Sequence, residues 1–251
     1  MKAMIFAAGL GTRLRPLTDK MPKALVPLAG KPLLLWQIEQ LKAAGVTDIT
    51  VNVHHFPDMI ISYLRSNDNF GCRISISDER EELLETGGGL KKAFADMQEQ
   101  EAVLACNADI LSNIDLQGLI KAYEETGLSQ LVVSDRQTQR YLCFDADNTL
   151  CGWVNTKTGE QKGQDGRRLA FSGMQILNKA VMQRLQETDD RIFSLTNFYL
   201  QTAADRKSRE ELKAYIPSNY RMMDVGKAEH LQEAEDFAAL LAKDYTRICR
   251  A

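Results

Sequence analysis

The sequence predicts an α/β protein: a Rossmann-like, mostly parallel mixed sheet flanked by helices, with a second sub-region of mixed strands. Short apolar runs free of proline alternate with helical periods through the first half. The rhythm then changes beyond residue 128, and the last segment repeats apolar residues at helical spacing. Strands joined by crossover helices make a parallel sheet covered on both faces, because each helix must lie over the sheet.

Ala3 to Ala8 reads as a buried strand closed by Gly9-Leu10-Gly11. Leu34, Leu35, Ile38, Leu41 and Ala44 recur at helical spacing before Gly45, a C-terminal stop signal. Ile49 to Val53 is the second strand, Met59 to Leu64 part of a helix, and Cys72 to Ser77 an alternating third strand. A short helix is expected from Leu90 to Met97, and Val103 to Cys106 gives a fourth buried strand ending in Asn107-Ala108-Asp109. Leu131 to Ser134, Tyr141 to Phe144, Leu150 to Val154 and Leu169 to Leu177 then read as strands separated by turns such as Asp147-Asn148. From Lys227 to Tyr245, Ala228, Leu231, Ala234, Phe237, Ala238 and Leu241 share one helical face. No repeat or linker interrupts the chain, which is expected to be one domain: a first half over 1–127, a second over 128–226 and a helix over 227–251.

With 44% apolar and 26% charged residues, the composition excludes disordered and collagenous classes. A formal charge of -3 argues against nucleic acid as partner. No apolar run approaches the roughly 20 residues of a membrane helix, and the first residues lack a signal-peptide pattern, so a cytoplasmic protein without a membrane partner is expected. Cys72, Cys106, Cys143, Cys151 and Cys249 are scattered and read as buried small apolar residues. His54 and His55 are adjacent at a strand end, so their side chains should diverge and not share a metal. Trp36, Phe56, Trp153 and Phe237 read as core, the run Glu79-Arg80-Glu81-Glu82 as a solvated face, and Asp115, Asp135, Asp145 and Asp147 as cap or turn residues.

Gly9-Leu10-Gly11-Thr12-Arg13-Leu14 places leucine where the dinucleotide fingerprint needs its third glycine, and no Gly-Lys-Ser/Thr closes a Walker loop. A glycine loop after a buried strand remains, with Arg13, Arg15 and Lys23 nearby, which suits a polyphosphate. Arginine offers a fork for phosphate oxygens and lysine a mobile point charge. Asp109 stands past the end of the fourth strand, on the edge where open α/β sheets bind ligands.

The blocks Ala7-Ala8-Gly9-Leu10-Gly11-Thr12-Arg13-Leu14-Arg15-Pro16-Leu17-Thr18 and Pro22-Lys23-Ala24-Leu25-Val26-Pro27-Leu28-Ala29-Gly30-Lys31-Pro32-Leu33 resemble the opening of the sugar-1-phosphate nucleotidyltransferases. That resemblance implies the nucleotide-diphospho-sugar transferase fold, with a nucleoside triphosphate and a sugar 1-phosphate as partners. It also implies that Ala8, Gly9, Gly11 and Thr12 hold the triphosphate, that Arg13 contacts its phosphates and that Lys23 stabilises the phosphoryl group in transit. Two polyanions can meet only if a cation screens them, and Mg2+ prefers one or two carboxylates with phosphates and water. Asp109 is the first expected ligand; Asp224, in Met222-Met223-Asp224-Val225-Gly226, is the second, as in the family.

Leu84-Glu85-Thr86-Gly87-Gly88-Gly89-Leu90 resembles the base-side loop of the N-acetylmuramate-1-phosphate uridylyltransferases, which implies Glu85, Thr86, Gly87 and Gly88 along a uridine base. Guanosine, thymidine or cytidine relatives share the scaffold, mannose-1-phosphate guanylyltransferases among them. Asn107, Asn155 and Gly173 are the sugar-side candidates. Three departures from the family pattern stand out: Ala108 for glycine, Asn197 for aspartate, and Gly226-Lys227-Ala228 for Gly-Thr-Pro. They leave open a regulatory subunit that binds nucleotide sugar without chemistry.

Overall fold

The computed structural model describes residues 1–95, 102–205, 208, 211–226 and 228–248. Its strands are β1 (Lys2–Phe6), β2 (Pro27–Leu28), β3 (Lys31–Pro32), β4 (Asp48–Val53), β5 (Arg73–Asp78), β6 (Val103–Asn107), β7 (Ile110–Ser112), β8 (Ser129–Ser134), β9 (Arg140–Phe144), β10 (Leu150–Asn155), β11 (Gln161–Gly163), β12 (Arg167–Leu177), β13 (Leu212–Tyr215) and β14 (Met222–Asp224). The helices are α1 (Leu33–Ala43), α2 (Pro57–Ser66), α3 (Glu85–Ala93), α4 (Leu116–Thr126), α5 (Lys179–Glu187), α6 (Leu195–Ala204) and α7 (Leu231–Ile248).

The main sheet runs β11-β10-β9-β12-β6-β1-β4-β5, with β8 joined to both β12 and β13. β6, β1, β4 and β5 are parallel, as the alternating pattern of the first half requires. Beyond β6 the sheet is mixed: β12 lies antiparallel to β6, β8 and β9. The fold class expected from sequence is therefore the one observed. β12 ties the sub-regions together, because Met174–Leu177 pair with β6 while Arg167–Leu169 pair with β9.

β1 buries both faces. Ala3, Ile5 and Ala7 enter one core with Leu34, Ile38 and Ile60 from α1 and α2, while Met4 enters the opposite core with Leu90, Val181 and Phe198 from α3, α5 and α6. Helix starts follow local chemistry. Asp115 accepts from Gly118 N–H, Asn178 from Val181 N–H and Ser194 from Asn197 N–H, so Asp115 is the cap residue its position suggested.

A third cluster joins Ala234, Phe237, Ala238 and Leu241 of α7 to Leu14, Val26, Leu111 and Val225. The amphipathic last helix thus packs under the glycine loop and the β7–β14 pair. It is preceded by a short 3-10 turn, Ala228–His230, so the α-helix begins four residues later than the periodicity suggested.

Other local expectations need correction. The helix expected at Leu90 begins at Glu85, so the three glycines are helical and buried; Met97 lies outside the described residues. Glycine is a poor helix former, but bare backbone is what the neighbours demand here. A Cβ on Gly87 would stand 2.4 Å from the Phe193 ring, and one on Gly88 2.1 Å from Arg191 O. Glu79 is no solvated charge: it is 1% exposed. Phe56 is only half-buried, at the start of α2 with a left-handed φ of 50°, and its ring lies against His55. Cys72, Cys106, Cys143 and Cys151 are buried as expected, and Cys249 lies outside the described residues.

Phe237→Ala removes the largest α7 side chain of the third cluster and should lower unfolding free energy by about 3–5 kcal/mol, read as a reduced urea midpoint at unchanged m-value.

Candidate active site

The C-terminal ends of β1 and β6 open into a cleft of about 250 Å3. Ala8 and Gly9 line it from the glycine loop, Asn107 and Asp109 from the end of β6, and Glu85 and Thr86 from the start of α3; Lys23 and Asn52 complete the wall. Parallel strands place their loops at one edge, so residues far apart in sequence meet there.

The glycine loop turns at Gly11, whose φ of +64° favours glycine. Space is short as well: a Cβ at Gly11 would lie 2.8 Å from Thr18 Cγ2 and 3.1 Å from Lys23 Cβ. The buried Thr18 hydroxyl donates to Gly11 O at 2.8 Å and fixes that turn. Thr12 and Arg13 follow on an exposed 3-10 turn outside the cleft wall.

Lys23 Nζ contacts Asp109 Oδ2, with the lysine side chain 11% and the aspartate 25% exposed. Asp224 is brought near through backbone pairing, although it does not line the cleft. β14 pairs antiparallel with β7, placing Asp224 opposite Ile110, and Val225 N–H donates to Asp109 O at 2.9 Å. Arg13 approaches Asp224: a Cβ on Gly226 would lie 2.5 Å from Asp224 Oδ1 and 2.9 Å from Arg13 Nη2. Glycine at 226 leaves room for both groups.

Of the sugar-side candidates, Asn107 lines the cleft and Gly173 backs onto it. Gly173 has φ +68° at a register break in β12, and a Cβ there would meet Asn107 Nδ2 at 2.8 Å. Asn155 stands elsewhere. Its Oδ1 accepts from Lys157 N–H at 3.0 Å in the turn after β10, and it does not line the cleft. Gly87 and Gly88 likewise face Phe193 and Arg191 and not the cleft. Lys227 lies outside the described residues.

The histidines diverge as expected: His54 Nδ1 lies 2.7 Å from Glu79 O and His55 Nε2 3.1 Å from Thr18 O. Burial pushes the Cys106 thiol up to about 12, so the residue before Asn107 carries no thiolate near neutrality.

The profile of the nucleotidyl transferase family matches residues 2–239. This chain belongs to the nucleotidyl transferase family. N-acetylmuramate alpha-1-phosphate uridylyltransferase of Caulobacter vibrioides is 54% identical over 95 residues, 37% of this chain and 39% of that protein. Mannose-1-phosphate guanyltransferase of Emericella nidulans is 32% identical over 190 residues, 74% of this chain and 52% of that protein. The chain spans about half or less of the length of these two relatives. Among solved structures, HddC from Yersinia pseudotuberculosis superposes with TM-score 0.74 at 24% identity, covering 94% of this chain and 98% of that one. A UDP-glucose pyrophosphorylase gives TM-score 0.77 at 20% identity, covering 95% and 98%. At these identities the likeness establishes the fold.

Sequence reasoning missed a buried bridge under the cleft. Asn52 Oδ1 accepts from Ala7 N–H at 2.7 Å and its Nδ2 donates to Glu79 Oε1 at 2.7 Å, while Glu79 Oε2 accepts from Leu84 N–H at 3.1 Å. The bridge ties the glycine loop to the start of α3. A polar residue inside the apolar strand Ile49–Val53 was the available signal, since buried amides need partners. A second cleft of about 600 Å3 shares Glu85 with the first and is lined by Lys162, Asp190, Asn197 and Gln201, among others. Glu85 itself has a left-handed φ of 59°, a conformation that costs roughly 1–3 kcal/mol in a non-glycine residue.

Asn52→Ala should lower stability by about 2–3 kcal/mol, because it leaves the Ala7 N–H and the Glu79 carboxyl without their buried partner. Chemical denaturation of the purified variant measures this.

Proposed function

We propose that this chain transfers a nucleotidyl group from UTP to a sugar 1-phosphate, releasing pyrophosphate, with N-acetylmuramate 1-phosphate as acceptor. The observation that carries the reading is the convergence of Lys23 and Asp109 with the glycine loop in one cleft, with Asp224 brought to the same edge by the β7–β14 pair and Arg13 reaching Gly226 from the turn after the glycine loop. A binding module needs the cleft; it does not need two acids and two cations collected from both halves of the chain.

In this reading an acceptor phosphate oxygen forms a bond to the α-phosphorus of the triphosphate as the bond from that phosphorus to the bridging oxygen breaks. The electron pair leaves with pyrophosphate. The acceptor phosphate is ionised near neutral pH, so no general base is required, and positioning and charge neutralisation supply the rate. Ala8, Gly9, Gly11 and Thr12 hold the triphosphate against backbone, Arg13 holds the departing pyrophosphate, and Lys23 follows the negative charge as it shifts. Leu83, Glu85 and Thr86 border the base, because Gly87 and Gly88 are turned away. Asn107, backed by Gly173, faces the sugar, and the second cleft beyond Glu85 receives the rest of the acceptor.

Asp109 and Asp224 suit Mg2+. Asp109 directly precedes β7, with which the strand of Asp224 pairs, Asp224 is exposed, and among the described residues no group of three or more His, Cys, Asp or Glu forms a metal cluster, so the remaining ligands would be phosphate oxygens and water. Held there, the ion supplies positive charge between two polyanions that would otherwise repel.

Uridine rests on the 54% identical stretch shared with the Caulobacter uridylyltransferase. A second pair, GTP with mannose 1-phosphate, is favoured by the relative that matches 74% of the chain. Pyrophosphate release with Mg2+ across the four triphosphates and both sugar phosphates distinguishes them. UTP with N-acetylmuramate 1-phosphate should turn over fastest; no release from any pair would leave a binding protein.

Asp109→Asn should lower turnover by about 10²–10³ with an unchanged far-UV spectrum. A near-normal rate in that variant would remove Asp109 from the machinery.

A further inference from the structure

Lys23 sits on the carboxylate that the proposed reaction assigns to its metal. The Lys23 Nζ–Asp109 Oδ2 contact lies in a poorly solvated part of the cleft, where the two side chains are 11% and 25% exposed. The lysine backbone is held by a hydrogen bond: Val26 N–H donates to Lys23 O at 3.0 Å. The ammonium, by contrast, is a point charge on a rotatable stem. Asp224 has a cation beside it too, since Arg13 Nη2 and Asp224 Oδ1 crowd the same space at Gly226.

We propose that Lys23 is an internal placeholder for the divalent cation. It neutralises Asp109 and competes with the metal until a triphosphate draws the ammonium onto its own oxygens and releases the carboxylate. The inference rests on the nucleotidyl-transfer reading above and adds an order to it: tight metal binding follows arrival of the triphosphate. The physical reason is repulsion. A divalent ion and an ammonium cannot share one carboxylate at a few ångströms without a large penalty at low dielectric, so one must leave unless an added polyanion takes it.

Binding of Mn2+ to the full chain, followed by loss of the free-ion paramagnetic resonance signal at low ionic strength, tests this without reference to activity. Without nucleotide, Lys23→Met should bind Mn2+ about tenfold more tightly than the unmodified protein. A non-hydrolysable uridine triphosphate should then tighten Mn2+ binding more in the unmodified protein than in the variant. Lys23→Gln provides a second variant if methionine packs poorly, and thermal melting checks that each is folded. Equal Mn2+ affinity in folded Lys23 variants and the unmodified protein overturns the placeholder role. Asp109→Asn in the Lys23→Met background separates the two readings. If it weakens Mn2+ binding while Lys23→Met alone brought no gain, the placeholder fails and the metal assignment stands. If it changes nothing, Asp109 is not a ligand and both fail.

Discussion

The candidate site depends on one backbone rung, the hydrogen bond from Val225 N–H to Asp109 O beside the β7–β14 pair. Asp109 follows the parallel strand β6, and Asp224 belongs to a strand reached only after the mixed half is complete. Without the β7–β14 pairing and that rung nothing in the backbone would hold the two acids near one another, and loops do not hold carboxylates at fixed spacing unless their backbone is paired. The pair is short, so its strength comes from what lies beneath it. Leu111 and Val225 are buried in the cluster that α7 closes with Phe237, Ala238 and Leu241, and Leu14 of the glycine loop enters the same cluster. One hydrophobic contact therefore sets the heights of the Arg13 turn and of Asp224 together.

The other wall is held by polar contacts. Asn52 joins β1 to the β5–α3 corner through Glu79, and Thr86 Oγ1 accepts from Leu195 N–H at 2.9 Å, linking that corner to α6. Buried polar bridges of this kind contribute little net stability when satisfied but are costly when broken, so they fix geometry more than they add free energy. Gly87 and Gly88 serve the same joint, because only bare helix backbone lets the Arg191–Phe193 segment approach α3 so closely. The glycine run is thus structural support for the cleft wall, one layer behind the residues that face the ligand.

How much of this could be read from sequence follows from the range of the interactions. The parallel strands were legible because burial on both faces leaves uninterrupted apolar runs, and Asp109 was legible because such a run ends one residue before Asn107. The glycine loop was legible through its spacing to Lys23. The α3 start was not: local propensity argues against three glycines in a helix, and the reason they are tolerated, Phe193, lies a hundred positions away in the chain. Glu79 was misread for a related cause. A charge run looks solvated until a strand end carries its first member under the cleft, toward an amide on β4. Asn155 resembled a sugar contact by position alone, and the turn after β10 claims its side chain. Contacts within a strand or loop leave a signature; contacts between elements leave one only where the residue type is out of place, as with Asn52.

The charge balance of the site bears on how a polyanion enters it. Lys23 and Arg13 stand against Asp109 and Asp224, two positive and two negative groups, within a chain of net charge -3. Such a site exerts no strong long-range pull on a free triphosphate, because opposite charges a few ångströms apart cancel beyond about one Debye length, roughly 8 Å at physiological salt. On the proposed reading attraction arises at contact, when the phosphates exchange partners with the aspartates. A lysine on a flexible stem can make that exchange without moving the backbone, whereas Arg13, which lies near Gly226, offers a planar fork for phosphate oxygens. If, on the proposed reading, a triphosphate takes the ammonium, the Asp109 carboxylate is left with one uncompensated negative charge. On that reading a divalent cation then offsets the charge, so the exchange that seats the triphosphate is also the step that opens Asp109 to the metal.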